Sequence, residues 1–467
     1  MRALAWFSPW PPQQSGIAGR SADMVANLAA RGYAIDVFVD EQDRHVAPLI
    51  ARGSNDGPAP GEVRVQSAHE FVWRQARGQY DLSVYQLGNS RLHEFIWPYL
   101  FRWPGLVVLH DARLHHARGR SLLRHRRNAD YRAEFAWNHP EVPASVAELG
   151  VAGFDGTYYY QWPMVRSVIE SARAAAGHTA SVIDEFRRSW PDRPMTYIAL
   201  GEGPQTFDVP SARARFRAAH AIAPEALTFG VFGGLTAEKR LPQILRAFAT
   251  TQAAWPAARL LLAGGIDPRL DLPGQIASLG LTDFVILETN LDDEAFDEAI
   301  AAVDVGLHLR WPTALETSGP WLRSLALSRP TVIIDLAHQP GVPSLDPRTW
   351  RRHAPCEDLS PDADNQAVTI AIDILDEDHS LRLAMRRLAA DAALRDRLGA
   401  AGRRFWEREH GGGRAIDDYE RAITMAINQP VPTVTLPPHL RPDAGAHAAQ
   451  ILISAGLDPA LLTTPEP

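Results

Sequence analysis

Short apolar runs alternate with longer amphipathic stretches along the chain, which is the pattern of a parallel sheet with helices on both faces. In the first half the predicted strands are RALAWF (2–7), AIDVFV (34–39), EVRV (62–65), LSVYQ (82–86), GLVVLH (105–110) and MTYIAL (195–200). In the second half they are LTFGVFG (227–233), ARLLLAG (258–264), DFVILE (283–288), VDVGLHL (303–309) and PTVIID (330–335). Because the pattern starts again, we expect two doubly wound α/β domains in series, with a boundary between 200 and 226.

The segments outside these strands predict a linker, two helices and a tail. The stretch GEGPQTFDVPSARARF (201–216) has the glycine and proline content of a linker. A strongly helical stretch begins near residue 380, is broken by three glycines at 411–413 and resumes to about 427. The proline-rich sequence after it is predicted to be extended, with one weak helix in AGAHAAQILISAGL. Ligands bind beyond the carboxyl ends of parallel strands, so two facing domains predict a cleft that holds the site.

Composition and charge narrow the class of protein. The length of 467 residues suits two domains. The composition, 46% hydrophobic and 22% charged residues, is that of an ordinary globular protein. The net charge of -8 argues against nucleic acid as a partner, because phosphate binding needs a basic face. Cys356 is the only cysteine, which excludes an intramolecular disulfide and fits a cytoplasmic protein. The start lacks a signal-peptide layout, and no run reaches the ~20 apolar residues that span a bilayer.

One lysine stands among 46 arginines, at position 239 in GGLTAEKRLP (233–242). This stretch follows a predicted strand, so Gly233 and Gly234 let the backbone approach a ligand, while Lys239 and Arg240 put positive charge at a helix start. That is the outline of a diphosphate site, although drift in an arginine-rich composition would also explain a single lysine. If a compact ammonium is needed, Lys239→Arg should weaken diphosphate binding with little change in melting temperature. The P-loop pattern of nucleotide hydrolases is absent.

A second polar stretch follows the predicted strand at 303–309. Arg310 ends the strand, Glu316 lies in the loop, and Thr317, Ser318 and Gly319 open a helix. Hydroxyls and free backbone N–H groups at that start can hold phosphate oxygens, and a glutamate can accept hydrogen bonds from sugar hydroxyls. A well-capped helix with an exposed glutamate explains the same residues without a ligand.

The first half offers weaker candidates. Gly16 and Gly19 lie at a predicted helix start after the first strand, where a hydroxyl or anionic ligand or a plain turn would suit them equally. His110 and Asp111 follow the strand at 105–110, and an imidazole there can bind sugar hydroxyls or exchange protons, or serve as a structural histidine. The neighbouring pair at 115–116 is not part of a metal-ligand spacing, so we expect no metal.

Taken in order, these stretches resemble the family 4 glycosyltransferases. The resemblance runs through SGIAGRSADMVANLAARG, YQLGNSRLHEFI, PGLVVLHDARLHH, FGVFGGLTAEKRLPQILRAF and LRWPTALETSGPWLRSLALSRP to the last helices, about nine tenths of the chain. It implies the GT-B fold of two facing Rossmann-like domains with an interdomain cleft. The implied units are an acceptor-binding domain (1–205), a nucleotide-sugar-binding domain (206–410), a helix packing back on the first domain (411–428) and a proline-rich tail (429–467).

The resemblance also implies a reaction and a set of site residues. The reaction is transfer of a sugar, with retention, from a nucleotide diphosphate sugar to a hydroxyl-bearing glycan or lipid-linked acceptor, without a metal or any further cofactor. The matching catalytic residues are His110, Lys239 and Glu316. Donor binding would fall to Gly16, Gly233, Gly234, Arg240, Arg310, Thr317, Ser318 and Gly319, and acceptor binding to Asn89, His93 and Asp111.

Two departures from the family pattern keep other functions open. Gly234 stands where the family often has arginine, so Arg240 or Arg310 would supply the second positive charge. Ser324 stands where a second glutamate often binds ribose, a variant that occurs among bacterial relatives with the ETSG sequence. The alternatives are a sugar-nucleotide epimerase, a phosphorylase, or a GT-B partner subunit without activity.

Arginines crowd the stretch after His110 and suggest a weaker hypothesis. They stand at positions 113, 118, 120, 124, 126, 127 and 132. Such a group could make peripheral contact with an anionic membrane, at up to about 1 kcal/mol each, or form a solvated face or an acceptor-phosphate site.

Overall fold

Two parallel β-sheets, each covered by helices, organise the protein. The computed structural model describes residues 2–441 except 14, 44, 51–56, 155, 202–207, 335–341 and 353–366, and beyond that range residues 452, 453 and 455–458. The weak helix predicted at 444–457 therefore lies mostly outside the described residues, as does Cys356.

The first sheet has seven strands within the described part of the chain, in the order β3-β2-β1-β4-β5-β6-β7, all parallel. Its strands are β1 (Ala3–Phe7), β2 (Ala34–Val39), β3 (Val63–Ser67), β4 (Leu82–Leu87), β5 (Leu106–Leu109), β6 (Ala174–Gly177) and β7 (Met195–Tyr197). The helices among them are α1 (Gly16–Ala30), α2 (Phe71–Ala76), α3 (Trp97–Arg102), α4 (His115–Arg124), α5 (Asn128–Asn138), α6 (Ser145–Val151), α7 (Tyr158–Gln161), α8 (Arg166–Ser171) and α9 (Ala180–Ser189).

The second sheet repeats this plan with seven strands among the residues described, in the order β10-β9-β8-β11-β12-β14-β13. Its strands are β8 (Thr228–Phe232), β9 (Arg259–Ala263), β10 (Val285–Glu288), β11 (Val305–His308), β12 (Thr331–Ile334), β13 (Ser344–Leu345) and β14 (Thr369–Ile372). Its helices, and the one that follows, are α10 (Val209–Ala219), α11 (Leu241–Ala254), α12 (Leu272–Ser278), α13 (Asp293–Ala302), α14 (Gly319–Ala326), α15 (Glu377–Ala390), α16 (Ala392–His410) and α17 (Gly412–Ile427).

Short segments of 3-10 helix also occur in the described part of the chain. They are Ala47–Leu49, Ala68–Glu70, Arg91–Ile96, Ala237–Lys239, Ile374–Asp376 and Pro438–Leu440.

The central strands are buried on both faces, which explains why their sequences are apolar without alternation. Every residue of β2, β4, β5 and β8 is buried. The order of each sheet reverses once, between β1 and β4 in the first sheet and between β8 and β11 in the second. In sheets of this kind the crevice at the reversal is where ligands bind.

The predicted strands and the α/β class with two doubly wound sheets are confirmed, and three strands were missed. The missed strands are β6, β13 and β14. β6 has the sequence AAAG, which favours helix by propensity, but all four residues are buried between β5 and β7. The predicted linker was wrong over 209–216, where α10 runs instead. Pro210 lies in the first turn of α10, where proline is tolerated and starts a helix.

α17 comes last among these helices but packs on the first sheet. α16 ends at His410, and after Gly411 the helix α17 begins at Gly412 and runs along the first domain. The ring of Tyr419 lies 5.6 Å from that of Trp6 on β1. Asp418 Oδ2 accepts a hydrogen bond of 2.8 Å from Ala199 N, just after β7. The two halves of the chain are therefore tied together by this helix.

The segment after α17 continues along the first domain. Leu436 is buried in the cluster that includes β4, β5 and α8. Trp137 Nε1 donates to Thr435 O at 2.9 Å, and His439 Nε2 lies 2.8 Å from Glu134 Oε1. Among the described residues, no helix has the length and apolar character needed to cross a bilayer.

Candidate active site

The site lies where the carboxyl edges of the two sheets meet at their reversals. The loops after β8 and β11 come from the second domain, and the loops after β1, β4 and β5 come from the first. The predicted site residues lie in or near these loops.

The turn after β8 buries the single lysine. Gly233 has φ of +87°, and its N donates to Ala263 O at 2.9 Å. Lys239 is only 2% exposed, and its Nζ donates to Phe232 O at 2.9 Å. Burial lowers the pKa of Lys239 to about 7, and Arg310 lowers it further while Glu316 opposes the shift. A ligand with negative charge would restore the charged ammonium.

Arg310 and Glu316 form an ion pair beside Lys239. Arg310 Nη1 lies 2.7 Å from Glu316 Oε1, and Thr313 Oγ1 donates to Glu316 Oε2 at 2.9 Å. The Arg310 side chain is 38% exposed, so it can turn toward a ligand. The electrostatic influence of both residues on Lys239 places the three charges in one site.

Arg240 points elsewhere. Its guanidinium makes a bidentate ion pair with Glu377 at the start of α15, with Nε–Oε1 at 2.8 Å and Nη2–Oε2 at 2.6 Å. At Gly234, in the turn after β8, a Cβ would lie 3.8 Å from the methyl of Thr236 and meet no other non-neighbouring residue that the structure describes within 4 Å. Of the two arginines that could replace a side chain at 234, Arg310 is the one whose charge acts on Lys239.

The start of α14 combines a cap with a contact between domains. Ser318 is the N-cap residue, and its side chain accepts from Trp321 N at 3.4 Å. Gly319 is buried as the first helical residue. Thr317 Oγ1 donates to His178 O at 2.7 Å and lies 3.0 Å from Thr179 Oγ1. The Thr317 hydroxyl is thus held by the first domain.

Ser324 is wholly buried in α14 and serves the packing of the second domain. Its Oγ donates to Pro320 O at 2.9 Å and lies 2.9 Å from His308 Nε2. Burial lowers the pKa of His308 well below its ordinary value, and the nearby Lys239 acts in the same direction.

Gly16 is the first residue of α1. Ser15 caps this helix by accepting from Ile17 N at 3.2 Å. A Cβ on Gly19 would lie 3.8 Å from Asp293 Oδ2 at the start of α13, so α1 approaches the second domain here.

His110 is held as a neutral imidazole just after β5. Its Nε2 lies 2.8 Å from Gln86 Oε1, and its ring centre lies 4.7 Å from that of His178. Burial lowers the pKa of His110 well below its ordinary value, with His178, Arg20 and His93 adding to the shift. The imidazole can therefore exchange hydrogen bonds without carrying a charge.

Asp111 is the acidic group of the first domain at this edge. Its Oδ2 accepts from Asn89 N at 2.5 Å. Burial, followed by the negative charge of Glu316, raises the pKa of Asp111 to about 7, while Asn89, Arg310 and Arg20 oppose the shift. A carboxyl that titrates near neutrality is suited to accept or share a hydroxyl proton.

Asn89 and His93 lie at the same edge, mostly bound to protein groups. Asn89 Oδ1 accepts from Ala117 N at 2.8 Å and so fixes α4. His93 is buried, and its Nδ1 lies 2.9 Å from Gln86 O. Burial lowers the pKa of His93 to about 4, so this ring is neutral. Both residues lie close to Asp111 at the first-domain edge of the site.

Sequence reasoning missed three features of the site. Gly264 has φ of +148°, and a Cβ there would lie 2.1 Å from Gly233 O, so this glycine supports the turn that holds Lys239. Gln86 orders His110, and the pair His178 and Thr179 binds the loop after β11. The glycine pair after β9 could have been noticed, because it repeats the pattern after β8.

Four of the seven arginines in the arginine-rich stretch form ion pairs with acidic side chains. Arg118 is buried, stacks 4.9 Å from the ring of Trp97 and makes a bidentate ion pair with Glu134. Other ion pairs in the described chain join Arg124 to Glu94 at 2.7 Å, Arg127 to Asp130 at 2.7 Å and Arg132 to Glu148 at 2.6 Å. These pairs leave less positive charge for a membrane than the sequence indicates.

Among the residues that the structure describes, no group of three or more His, Cys, Asp or Glu is arranged to hold a metal ion.

Solved structures identify this architecture. Sucrose-phosphate synthase from Thermosynechococcus elongatus matches with a TM-score of 0.60 at 15% identity, covering 90% of this chain and 98% of that one. WaaG, a glycosyltransferase involved in lipopolysaccharide biosynthesis, matches with a TM-score of 0.57 at 15% identity over 90% and 99%. The chain has the GT-B fold. No protein-family model matches the sequence, and no curated protein sequence does.

A third GT-B structure was solved with a sugar nucleotide. Anabaena Alr3699/HepE in complex with UDP-glucose matches with a TM-score of 0.57 at 13% identity, covering 91% of this chain and 100% of that chain.

The GT-B cleft of this chain is bridged by the loop after β11. Ala112 N donates to Ala314 O at 2.8 Å, and Thr179 Oγ1 donates to Leu315 O at 3.1 Å. The Leu315 side chain packs on the core of the first domain. From the other side, Tyr160 OH donates to Glu238 Oε1 at 3.1 Å. The loop that holds Arg310 and Glu316 is thus positioned by both domains.

Proposed function

We propose that this protein is a retaining glycosyltransferase that moves a sugar from a nucleotide diphosphate sugar to a hydroxyl-bearing glycan or lipid-linked acceptor. The observation that carries the proposal is the burial of Lys239 next to Gly233, Arg310 and Glu316, opposite the His110–Asp111 edge of the first domain. A buried lysine without a carboxylate salt bridge among the described residues is costly, and a diphosphate would compensate that cost.

The donor would bind to the second domain. Lys239, Arg310 and the backbone N–H groups at the start of α14 supply positive charge for the diphosphate, and Gly233 and Gly234 allow it to come close. As the glycosidic bond breaks, the nucleoside diphosphate gains negative charge, and these groups stabilise that state more than the ground state. No cofactor is needed for this step, and we expect chelation of metals to leave turnover unchanged.

The acceptor would bind to the first domain. Asp111 can accept a hydrogen bond from the attacking hydroxyl, and His110 can bind the transferred sugar without placing a charge beside it. Retention without a protein nucleophile fits attack on the same face as the leaving group, with the departing phosphate taking the acceptor proton.

The other functions make different predictions. An epimerase would convert a sugar nucleotide without a glycan acceptor. A phosphorylase would cleave a glycosidic bond with inorganic phosphate and release a sugar phosphate and the shortened glycan. A partner subunit without activity would bind no donor. Because four of the seven arginines after His110 are paired with acidic side chains, we favour an acceptor recognised in solution over contact with anionic lipid. Equal flotation of the protein with neutral and with anionic vesicles would agree with this.

A donor screen tests the proposal. Thermal unfolding is followed with UDP-, GDP-, ADP- and dTDP-sugars, because a ligand that binds only the folded state raises its stability. The donor found is then incubated with and without acceptor glycans. Stabilisation by one donor and release of nucleoside diphosphate that depends on acceptor support a transferase. Acceptor-independent conversion supports the epimerase, and absence of stabilisation supports the partner subunit.

The variant Glu316→Gln links this activity to the site. It keeps an acceptor for Thr313 but loses the charge that holds Arg310. We expect the fold to be retained and turnover to fall by roughly 10- to 1000-fold. The control is Glu407→Gln, an exposed glutamate in α16 that pairs with Arg403, which should be without effect. Unchanged turnover in Glu316→Gln would limit Glu316 to a structural role.

A further inference from the structure

Gln86 occupies a central position beneath the first-domain edge of the site. It is the fifth residue of β4 and is wholly buried. Its side-chain Oε1 lies 2.8 Å from His110 Nε2 and accepts from Tyr419 OH at 3.3 Å. Its backbone oxygen lies 2.9 Å from His93 Nδ1. One residue therefore contacts both site histidines and the helix α17.

These contacts determine which ring nitrogen of each histidine carries the proton. A carbonyl oxygen can only accept, so with Gln86 Oε1 facing His110 the protonated nitrogen of that ring is Nε2, and the backbone oxygen of Gln86 likewise assigns the proton of His93 to Nδ1. The other nitrogen, Nδ1 of His110, is buried and makes no hydrogen bond to any residue in the described part of the chain. It is therefore a buried acceptor without a partner among those residues, and a ligand that reached it would satisfy it.

We propose that Gln86 is a positioning residue that keeps His110 in the Nε2–H tautomer, so that Nδ1 can accept a hydrogen bond from a hydroxyl of the bound sugar. The second half of this statement rests on the proposed function, whereas the tautomer itself does not. Tyr419 donates to the same oxygen and so helps to hold the amide in this orientation. Tyr419 lies on α17, which follows the second domain in sequence, so this helix indirectly supports His110 in the first domain.

Replacing the amide by a carboxylate separates this role from a structural one. In Gln86→Glu the new group still accepts from Nε2 but also stabilises the imidazolium, so the His110 pKa rises. The other groups around His110 are His178, Arg20, His93 and Tyr419, and all are unchanged in the variant. Once protonated, Nδ1 can no longer accept, so turnover should fall as the pH is lowered. Gln86→Met removes the acceptor and leaves the tautomer undetermined.

The experiment has a spectroscopic arm and a kinetic arm. Nitrogen-15 spectra of histidine-labelled full-length protein, with His110→Asn for assignment, should show Nε2–H for His110 in wild type without titration from pH 5.5 to 8.5. Gln86→Glu should titrate in this range, and its turnover should fall more steeply at low pH than that of wild type, whose own acid limb comes from Asp111. Gln86→Met should lose roughly 10- to 100-fold in turnover without a new limb, the range found when the outer hydrogen-bond partner of a metal-bound histidine is removed.

Several outcomes would overturn the inference. A wild-type spectrum that shows the proton of His110 on Nδ1 would mean that the Gln86 amide is reversed. This measurement uses only wild-type protein, so it does not depend on whether a variant folds. A pH profile of Gln86→Glu identical to that of wild type would reduce Gln86 to packing. If the tautomer is as stated but the protein transfers no sugar, the assignment to Gln86 stands and the proposed function fails.

Discussion

At the scale of single residues, the turn that holds Lys239 depends on two glycines that touch. A Cβ at Gly264 would lie 2.1 Å from Gly233 O and 2.6 Å from Gly233 C. Neither backbone can shift freely, because Gly264 N donates to Glu288 O at 2.7 Å and Gly233 N donates to Ala263 O at 2.9 Å. The positive φ of Gly264 adds strain for any other residue.

Gly264→Ala should therefore lower the free energy of unfolding by about 2 kcal/mol or more, from the clash and the strained φ together. The adjacent Gly265 is a matched control, since no non-neighbouring residue in the described part of the chain has an atom within 4 Å of where its Cβ would be. Gly265→Ala should change stability by less than about 0.5 kcal/mol. Urea unfolding of both variants measures the difference, and equal stabilities would contradict the close contact.

At the scale of elements, the segment after α17 is part of the first domain's core although it comes late in the sequence. Leu436 is 5% exposed and contacts the cluster around β4 and β5, whereas Val431 in the same segment is 55% exposed. Leu436→Ala should cost about 2 to 5 kcal/mol through lost burial and a cavity. Val431→Ala should cost less than about 0.5 kcal/mol. Thermal unfolding compares them, and a silent Leu436→Ala would show that this segment is not docked.

The elements also show how far sequence patterns reach. Apolar runs of four or more residues identified the central strands, because burial on both faces leaves this pattern. β6 escaped, since three alanines before a glycine carry no strand preference and only its neighbours bury it. With β6, the residues His178 and Thr179 were missed, and with them the contacts between domains. Gln86 could not be recognised, because a single glutamine near the end of a strand has no pattern of its own.

Among the candidate site residues, Lys239 was the easiest to single out, because its type is unique in the chain. Arg240 next to it could not be distinguished from Arg310 by sequence. Its ion pair partner, Glu377, lies 137 residues away in sequence, and only the fold brings them together.

At the scale of the whole molecule, Asp111 and Glu316 bring like charges from two domains together. The folded-state pKa of Asp111 is raised to about 7 from 3.8, so between these values the folded protein binds more protons than the unfolded chain. Stability attributable to this group therefore falls as the pH rises from about 4 to 7 and stays low above 7.

Asp111→Asn should remove this dependence while keeping an acceptor for Asn89 N. We expect its melting temperature to exceed that of wild type at pH 8, with a gap that shrinks as the pH falls toward 4. Glu316→Gln should reduce the same slope from the other domain. Scanning calorimetry at several pH values checks this, and parallel curves for wild type and Asp111→Asn would show that Asp111 is not strained by the contact.

The proposed function requires Lys239 and its surroundings to bind a nucleoside diphosphate. Because Lys239 is 2% exposed, the wider guanidinium of Lys239→Arg would have to displace its neighbours, and a fall in melting temperature is now expected for that variant. Lys239→Met is the better test, since it removes the charge, keeps a similar shape and leaves no buried ammonium to desolvate.

The most direct measurement is titration calorimetry of UDP, GDP, ADP and dTDP with wild type and Lys239→Met. The account predicts that the best ligand of wild type binds the folded variant about 5- to 150-fold more weakly, equivalent to a loss of roughly 1 to 3 kcal/mol. It also predicts that wild-type affinity falls as the pH rises above about 7, because binding then requires Lys239 to take up a proton, and that the variant lacks this dependence. Binding of the same ligand by Lys239→Met within about twofold of wild type, or no binding of any of the four by wild type, would contradict it.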